Sequence, residues 1–416
     1  MRILLLTPSP PAPSANSAVP VVAWAQLRAL AGRHELSVAT TAGPDPTELD
    51  AVERLRAEGI DVHVVVRRDA AMLERLVRCV RNAVRWLILR RPMYVVWYQE
   101  PALQRMLDAL LSERRIDVVH VNDSAMATYA LRTTAPKLLV EIEARAPRPI
   151  DWTGWLRGSW YRGIMDEADW QRWPRHQRNA WRGFDRIEVF TRRDAGTVSR
   201  IAPDVSSRVH VNPFGIEMPS VADPSLQEEG TIAFVGNYTH APNVDAARWL
   251  ANTLMPLLRA RHPGARLHLY GIDPRGALAG IAREDVRVHG WLRDIEPAIA
   301  RAAVILAPVR VGGGQRMKVL QAMAMGKAVV TTPRGADGIV IDGGDPPVAI
   351  GDLAEEIAER TAELLRDPGR RHALGARARA VAQDHHDLRA YGARLDAAYA
   401  ALLDAQRGAT EHASAP

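Results

Sequence analysis

The sequence predicts an α/β protein of two domains, each a parallel sheet with helices on both faces. Three observations carry that prediction. Short apolar runs alternate with stretches of helical periodicity through most of the chain, as βαβ units require. The alternation restarts after "PFGIEMPSVADPSLQEEG" at Pro213, a stretch rich in proline, serine and acids that reads as a linker. A chain of 416 residues is also too long for one ordinary core and suggests domains of roughly 200 residues. The boundaries are set at 1–215 and 216–385, with a last helix over 386–407 and a disordered tail over 408–416.

In the first domain Arg2–Leu6 is a buried strand, followed by the proline-rich loop "TPSPPAPSANSAVP". A helix around Val22–Leu30, the strand "ELSVAT", a helix over about Pro46–Glu58 and the strand "VHVVV" continue the alternation. In Ala71–Arg91 the residues Leu73, Leu76, Val80, Val84 and Leu87 keep helical spacing, with Arg75, Arg78, Arg81 and Arg85 on other faces. This is a basic amphipathic helix. "DVVHV" at Asp117 is a strand ending at Asn122 and Asp123, and "KLLVEIEA" carries Glu141 and Glu143 at the same edge. Ligands of doubly wound sheets bind beyond such carboxyl ends. Each glutamate is either a site carboxylate or part of a solvated strand end. From Asp151 to Phe184 the periodicity is lost in a run of Trp, Arg and Gly, and "RIEVF" and "RVHVN" then close the domain.

The second domain has strands near Thr231, Leu267, Val286, Val304, Ala328 and Val348, and three helices from about Leu353, Arg370 and Leu388. Its centre is "VILAPVRVGGGQRMKVLQAMAMGKAVVTTPRGADGI" from Val304. A strand stopped by Pro308 leads to Gly312, Gly313 and Gly314, where the missing Cβ atoms let backbone amides approach a ligand. From Gln315 the pattern turns helical, with Leu320, Met323 and Ala324 on one face, and Gly326 ends the helix. A glycine loop feeding a helix N-terminus is an anion site, and Arg316 and Lys318 add full charge beside it. The plain alternative is a tight turn with two solvated cations. The chain has only three lysines, Lys137, Lys318 and Lys327, so Lys318 stands out as a compact ammonium in an arginine-rich sequence.

Composition narrows the classes. Net charge is +6 and the pI about 9.7, compatible with nucleic acid, anionic lipid or a polyphosphate substrate. No helix–turn–helix, zinc or base-stacking motif accompanies the charge, so nucleic acid is not expected as a partner. Cys79 is the only cysteine, which excludes an intrachain disulfide and fits a reducing, cytoplasmic compartment. No apolar run approaches a membrane span, and "MRILLL" reads as a first strand rather than a signal peptide. No Asp-x-Asp pair or histidine cluster suggests a metal; His385 and His386 are adjacent on a helix and cannot face one ligand.

The segments "GGGQRMKVLQAMAMGKAVVTT" and "GADGI" resemble the nucleotide-sugar site of family 4 glycosyltransferases, which have the GT-B fold. "MRILLLTPSPP", "TIAFVGNYTHAPNVDAARWL" at Thr231 and "VRVHGWLRDIEPAIARA" at Val286 agree with that family in order and spacing. The likeness covers most of the chain, weakly in the first half and strongly from Thr231 to about Ile339. It implies two Rossmann-like domains facing across a cleft, with the last helix crossing back to the first domain. It implies a retaining, hexosyl-type transfer from a nucleotide-diphosphate sugar, with a donor phosphate oxygen taking the acceptor proton and neither cofactor nor metal. The acceptor is expected to be a glycan or lipid-linked intermediate of envelope polysaccharide or glycolipid synthesis.

Carried over residue by residue, the resemblance implies catalytic roles for Arg316, Lys318 and Asn122. Gly236, Asn237, Leu292, Gly312, Gly313, Gly314, Gln315, Gln321 and Asp337 are expected to bind substrate, Leu292 through its backbone to the base. The chain departs from the family in three places. Two glutamates eight positions apart are replaced by Gly313 and Gln321; Gln321 can still bond a ribose hydroxyl, whereas Gly313 offers only backbone. A histidine after the "VVHV" strand is replaced by Asn122, with His120 taken to lie on the opposite face. The turn holding Asn237 and Pro242 lacks the family's cation. These departures keep two alternatives open: a GT-B protein that binds a donor or partner without turnover, and a GT-B sugar-nucleotide epimerase. Two basic segments, Ala71–Arg91 and Trp152–Arg182, are further expected to rest the first domain on an anionic membrane surface; the alternative is that the helix packs its apolar stripe on the sheet with its arginines in water and that the tryptophans line an acceptor groove.

Overall fold

Two all-parallel sheets organise the chain in this computed structural model, which describes residues 1–13, 18–67, 72–147, 160–310, 316–340 and 344–413. The first is built from β1 (Arg2–Thr7), β2 (Glu35–Ala42), β3 (Asp61–Val66), β4 (Val118–Asn122), β5 (Lys137–Glu141), β6 (Arg186–Val189) and β7 (Val209–Val211). Its spatial order is β3-β2-β1-β4-β5-β6-β7. The second uses β8 (Glu228–Val235), β9 (Arg266–Tyr270), β10 (Val286–Gly290), β11 (Ala302–Ala307), β12 (Ala328–Thr331) and β13 (Ala349–Ile350), in the order β10-β9-β8-β11-β12-β13.

Both sheets share one logic: three strands run one way from the first, and the order then reverses across it. The reversal falls between β1 and β4 in the first sheet and between β8 and β11 in the second. Helices cover both faces, so the central strands read as unbroken apolar runs rather than as alternating ones. Ile3–Leu6 and Ala302–Ala307 are buried at every position. One apolar cluster gathers around Leu4, Leu107, Val121 and Trp181, and another around Phe234, Leu254, Val304 and Ala358.

The chain divides into two compact units, Met1–Asn212 with the residues from Gly392 onward, and Pro213–Tyr391. The Leu388–Ala413 helix therefore starts in the second unit and packs in the first. There Tyr399 is buried with its Oη 2.5 Å from His120 Nδ1, and Asp396 accepts from Arg33 and sits 2.7 Å from His34 Nε2. Gly392 makes the approach possible, because a Cβ there would lie 2.5 Å from the carbonyl oxygen of Ala29.

Two sequence expectations are corrected here. The stretch without apparent periodicity holds two helices, Trp160–Trp170 and Trp173–Trp181. The second buries Trp173, Gln177 and Trp181 at four-residue spacing, a helical stripe of aromatic and polar side chains that an aliphatic pattern does not reveal. The expected tail from 408 instead continues the last helix to Ala413, Gly408 being tolerated among good helix formers.

Candidate active site

The carboxyl ends of β8 and β11 meet at the reversal point of the second sheet, where doubly wound proteins bind ligands. Gly236 and Asn237 leave β8 there. Gly271 leaves β9 at φ +140°, and a Cβ on it would sit 1.7 Å from the Gly236 carbonyl oxygen, so these turns pack backbone on backbone. Asn237 Oδ1 accepts from Thr239 N at 2.9 Å and Thr239 Oγ1 at 2.7 Å, an Asx turn that starts the Ala241–Trp249 helix. From that helix Asn243 reaches back, its Nδ2 donating to the Asn237 carbonyl oxygen at 2.8 Å.

Lys318 meets the same asparagine. It stands on the Met317–Ala324 helix, which Arg316 precedes and Gly326, at φ +75°, follows. Lys318 Nζ donates to Asn243 Oδ1 at 2.9 Å and lies 4.4 Å from the centre of the Phe234 ring. Burial, then the Arg316 charge, pushes its ammonium down to about 7. Asn243 thus ties the lysine to the turn after β8, and Phe234 receives its cation on a π face. Neither residue was singled out from the sequence. The signal for Asn243 was weak: a polar side chain in the first turn of a helix that follows a strand and a proline.

The other expected residues are distributed as follows. Gln321 is half-buried one helical turn beyond Lys318 and so shares its face. Asp337 is half-buried in the turn after β12, which is closed by Thr332 Oγ1 donating to the Val309 carbonyl at 2.6 Å. His386 braces that turn from behind, with Nε2 2.7 Å from the Ile339 carbonyl oxygen and Nδ1 2.9 Å from that of Phe214. Trp291 and Leu292 are exposed after β10. Gly312, Gly313, Gly314 and Gln315 lie outside the described residues.

Asn122 is fully buried and donates through Nδ2 to Gln26 Oε1 at 2.7 Å. His120, expected on the opposite face, is two residues away and therefore on the same one. Burial depresses it to about 3, leaving a neutral ring.

The carboxyl edge of the first sheet is less solvated than expected. Glu141 is buried, with Oε2 accepting from Trp181 Nε1 at 2.7 Å and Oε1 accepting from Ser124 Oγ at 3.3 Å. Burial first, then the nearby Asp123 carboxylate, holds it well above the ordinary carboxylate range. Asp123 adopts φ +72°, an unusual left-handed conformation for an aspartate, at the end of β4. Arg145 stacks 3.8 Å over the Trp173 ring and pairs with Glu143 at 3.6 Å. This corrects the expectation of membrane-facing tryptophans at positions 173 and 181, which are buried in the domain, while Trp170 is half-buried. Trp152, Trp155 and the side chain of Trp160 lie outside the described residues.

Among the described residues no three His, Cys, Asp or Glu side chains form a group able to hold a metal ion, and no helix is long and apolar enough to cross a membrane.

Two doubly wound units, with a lysine fixed at the reversal point of the second sheet, define a GT-B type protein. The family comparison makes this specific. Residues 48–216 match the model "Glycosyltransferase Family 4" and residues 229–367 match "Glycosyl transferases group 1". The chain belongs to the family 4 type of GT-B glycosyltransferases. No curated protein sequence matches it. Among solved structures it is similar to sucrose-phosphate synthase from Thermosynechococcus elongatus, at 16% identity and TM-score 0.67 over 97% of this chain and 99% of that one. It is similar to Anabaena HepE in complex with UDP and glucose, at 13% identity and TM-score 0.64 over 96% and 100%. TarM gives 8% identity and TM-score 0.66 over 96% and 98%.

Proposed function

We propose that this glycosyltransferase moves a hexosyl group, with retention, from a nucleoside-diphosphate sugar to a glycan or lipid-linked acceptor of envelope polysaccharide or glycolipid synthesis. The observation that carries the proposal is the Lys318–Asn243–Asn237 chain of hydrogen bonds at the carboxyl ends of β8 and β11. Complexes of the structurally similar HepE with UDP, with UDP and glucose and with UDP-glucose support a donor of this class.

In the transfer, the acceptor hydroxyl oxygen bonds to the anomeric carbon as the bond from that carbon to the diphosphate breaks. The nucleoside diphosphate leaves with the electron pair, and one of its oxygens takes the acceptor proton. Most of the barrier is charge building on the leaving diphosphate. Lys318 answers it with a point charge, and Arg316 adds a second cation two residues before it. A lysine pushed to about 7 is well suited, because an arriving dianion restores the charge that burial weakens. Gln321 stands on the same helix face, where an amide can both donate to and accept from a ribose hydroxyl.

The test is release of nucleoside diphosphate from a panel of nucleotide sugars, with and without EDTA. Turnover of at least one donor, unchanged by EDTA, is expected. Donor binding without turnover of any of them would instead favour the binding-module alternative, which Gly313 and Gln321 in place of the family's glutamates motivate.

A further inference from the structure

The Met72–Leu87 helix is mounted with its polar side toward the protein. Arg85 Nη1 donates to the Gln99 carbonyl oxygen at 3.1 Å, and Trp86 Nε1 donates to Asp169 Oδ1 at 3.1 Å. The Arg172 guanidinium stacks on the Trp86 ring at 3.9 Å, and Asn82 is half-buried on the same side. The aliphatic side faces out. Leu76, Val77, Val80, Leu87, Ile88 and Leu89 are each more than half exposed, and Val84 is 42% exposed. The spacing that predicted an amphipathic helix is therefore real, but its apolar stripe is not the face that packs on the domain. Trp97 and Met93, on the short helix packed against this one, are exposed as well. Soluble monomers leave isolated apolar side chains in water but rarely a contiguous stripe of this length, which marks an interaction site.

Charge identifies the occupant. From Leu76 to Arg91 the chain carries five arginines and no acidic residue. Burial first, then the Arg81 and Arg91 charges, holds the Arg85 guanidinium below its ordinary range, so these cations crowd one another. Arg81 and Arg85 lie on the side turned to the protein, whereas Arg90 is exposed at the end of the stripe. An anionic bilayer fits this pattern, taking the aliphatic stripe at the headgroup–acyl boundary and Arg90 at the phosphates, where a second copy of this chain would meet Arg90 with another arginine. We propose that the exposed aliphatic face of this helix rests on an anionic lipid bilayer and holds the first unit at a membrane surface. The proposal stands on surface geometry and does not depend on the glycosyl-transfer chemistry.

Co-sedimentation of the full chain with vesicles tests it, using phosphatidylcholine alone and phosphatidylcholine mixed with phosphatidylglycerol, at low and high salt. The chain should pellet with the mixed vesicles at low salt and lose that binding at high salt. The double variant Val80→Glu/Leu87→Glu, shown folded by circular dichroism, should bind at least about tenfold more weakly. Leu226→Glu, which changes an exposed leucine of the second unit, should bind as the parent does. No binding to the mixed vesicles at low salt overturns the proposal, as does equal binding by the double variant. It is also overturned if light scattering shows a dimer that the double variant dissolves while neither protein binds vesicles.

Discussion

Lys318 is held where its own charge is costly, a condition that ligand sites share with some structural lysines. Its folded value of about 7 lies below the ordinary unfolded value of about 10.4. Between those values the unfolded chain binds more protons, so this residue makes stability rise with pH from about 7 to about 10. Lys327 adds a rise of the same sign: it is buried, donates to the Ala300 carbonyl oxygen at 2.9 Å and is also pushed to about 7. Lys318→Met should therefore stabilise the ligand-free protein at neutral pH by about 1–2 kcal/mol. It should also remove about half of the rise in Tm with pH that the two lysines produce together. A melting series against pH checks this, and an unchanged series would mean that Lys318 is solvated. Lys318 was legible in the sequence because lysine is so scarce here. Asn243 was not, because its role is a bridge between the turn after β8 and a helix some 75 residues on, visible only once both are in place.

At the scale of the element, strands were legible wherever an unbroken apolar run met a turn signal, as at Ile3–Leu6 and Val304–Ala307. The Trp173–Trp181 helix was not, because the face it buries mixes tryptophan with glutamine. That helix supplies the indole N–H that satisfies Glu141. With its carboxyl held above the ordinary range, Glu141 binds more protons in the folded than in the unfolded state. Its contribution to stability is fully present below the unfolded value of about 4.3 and is lost as pH rises toward the folded one. Glu141→Gln, which imitates the protonated acid, should fold with a cost within about 1 kcal/mol at pH 5 and gain on the parent as pH rises. Urea unfolding at several pH values measures it; a loss that grows with pH would show the carboxylate to be the favoured form. Gly271→Ala is the harsher change. Its Cβ would collide with the Gly236 carbonyl at φ +140°, so a loss of about 3 kcal/mol or more is expected in the same measurement. A loss below about 1 kcal/mol would mean that the two turns do not pack as described.

On the scale of the whole molecule, one strand order occurs twice, and alternation of strands and helices was enough to read both domains. The return of the chain end was not readable from periodicity, since nothing local in Tyr399 or Asp396 says that they pack with His120, Arg33 and His34. The departures from the family pattern fall on both units. In the first, Asn122 is buried against Gln26; in the second, the lysine of the glycine block keeps a defined place. In the proposed reaction Lys318 meets the diphosphate of a sugar donor. Calorimetric titration of nucleoside diphosphates into the parent and into Lys318→Ala, Lys318→Arg and Gln321→Glu tests it most directly. Lys318→Ala should weaken binding by up to about 3 kcal/mol, Lys318→Arg should restore only part of it, and Gln321→Glu should keep diphosphate binding. Equal affinities for the parent and a correctly folded Lys318→Ala would contradict the claim.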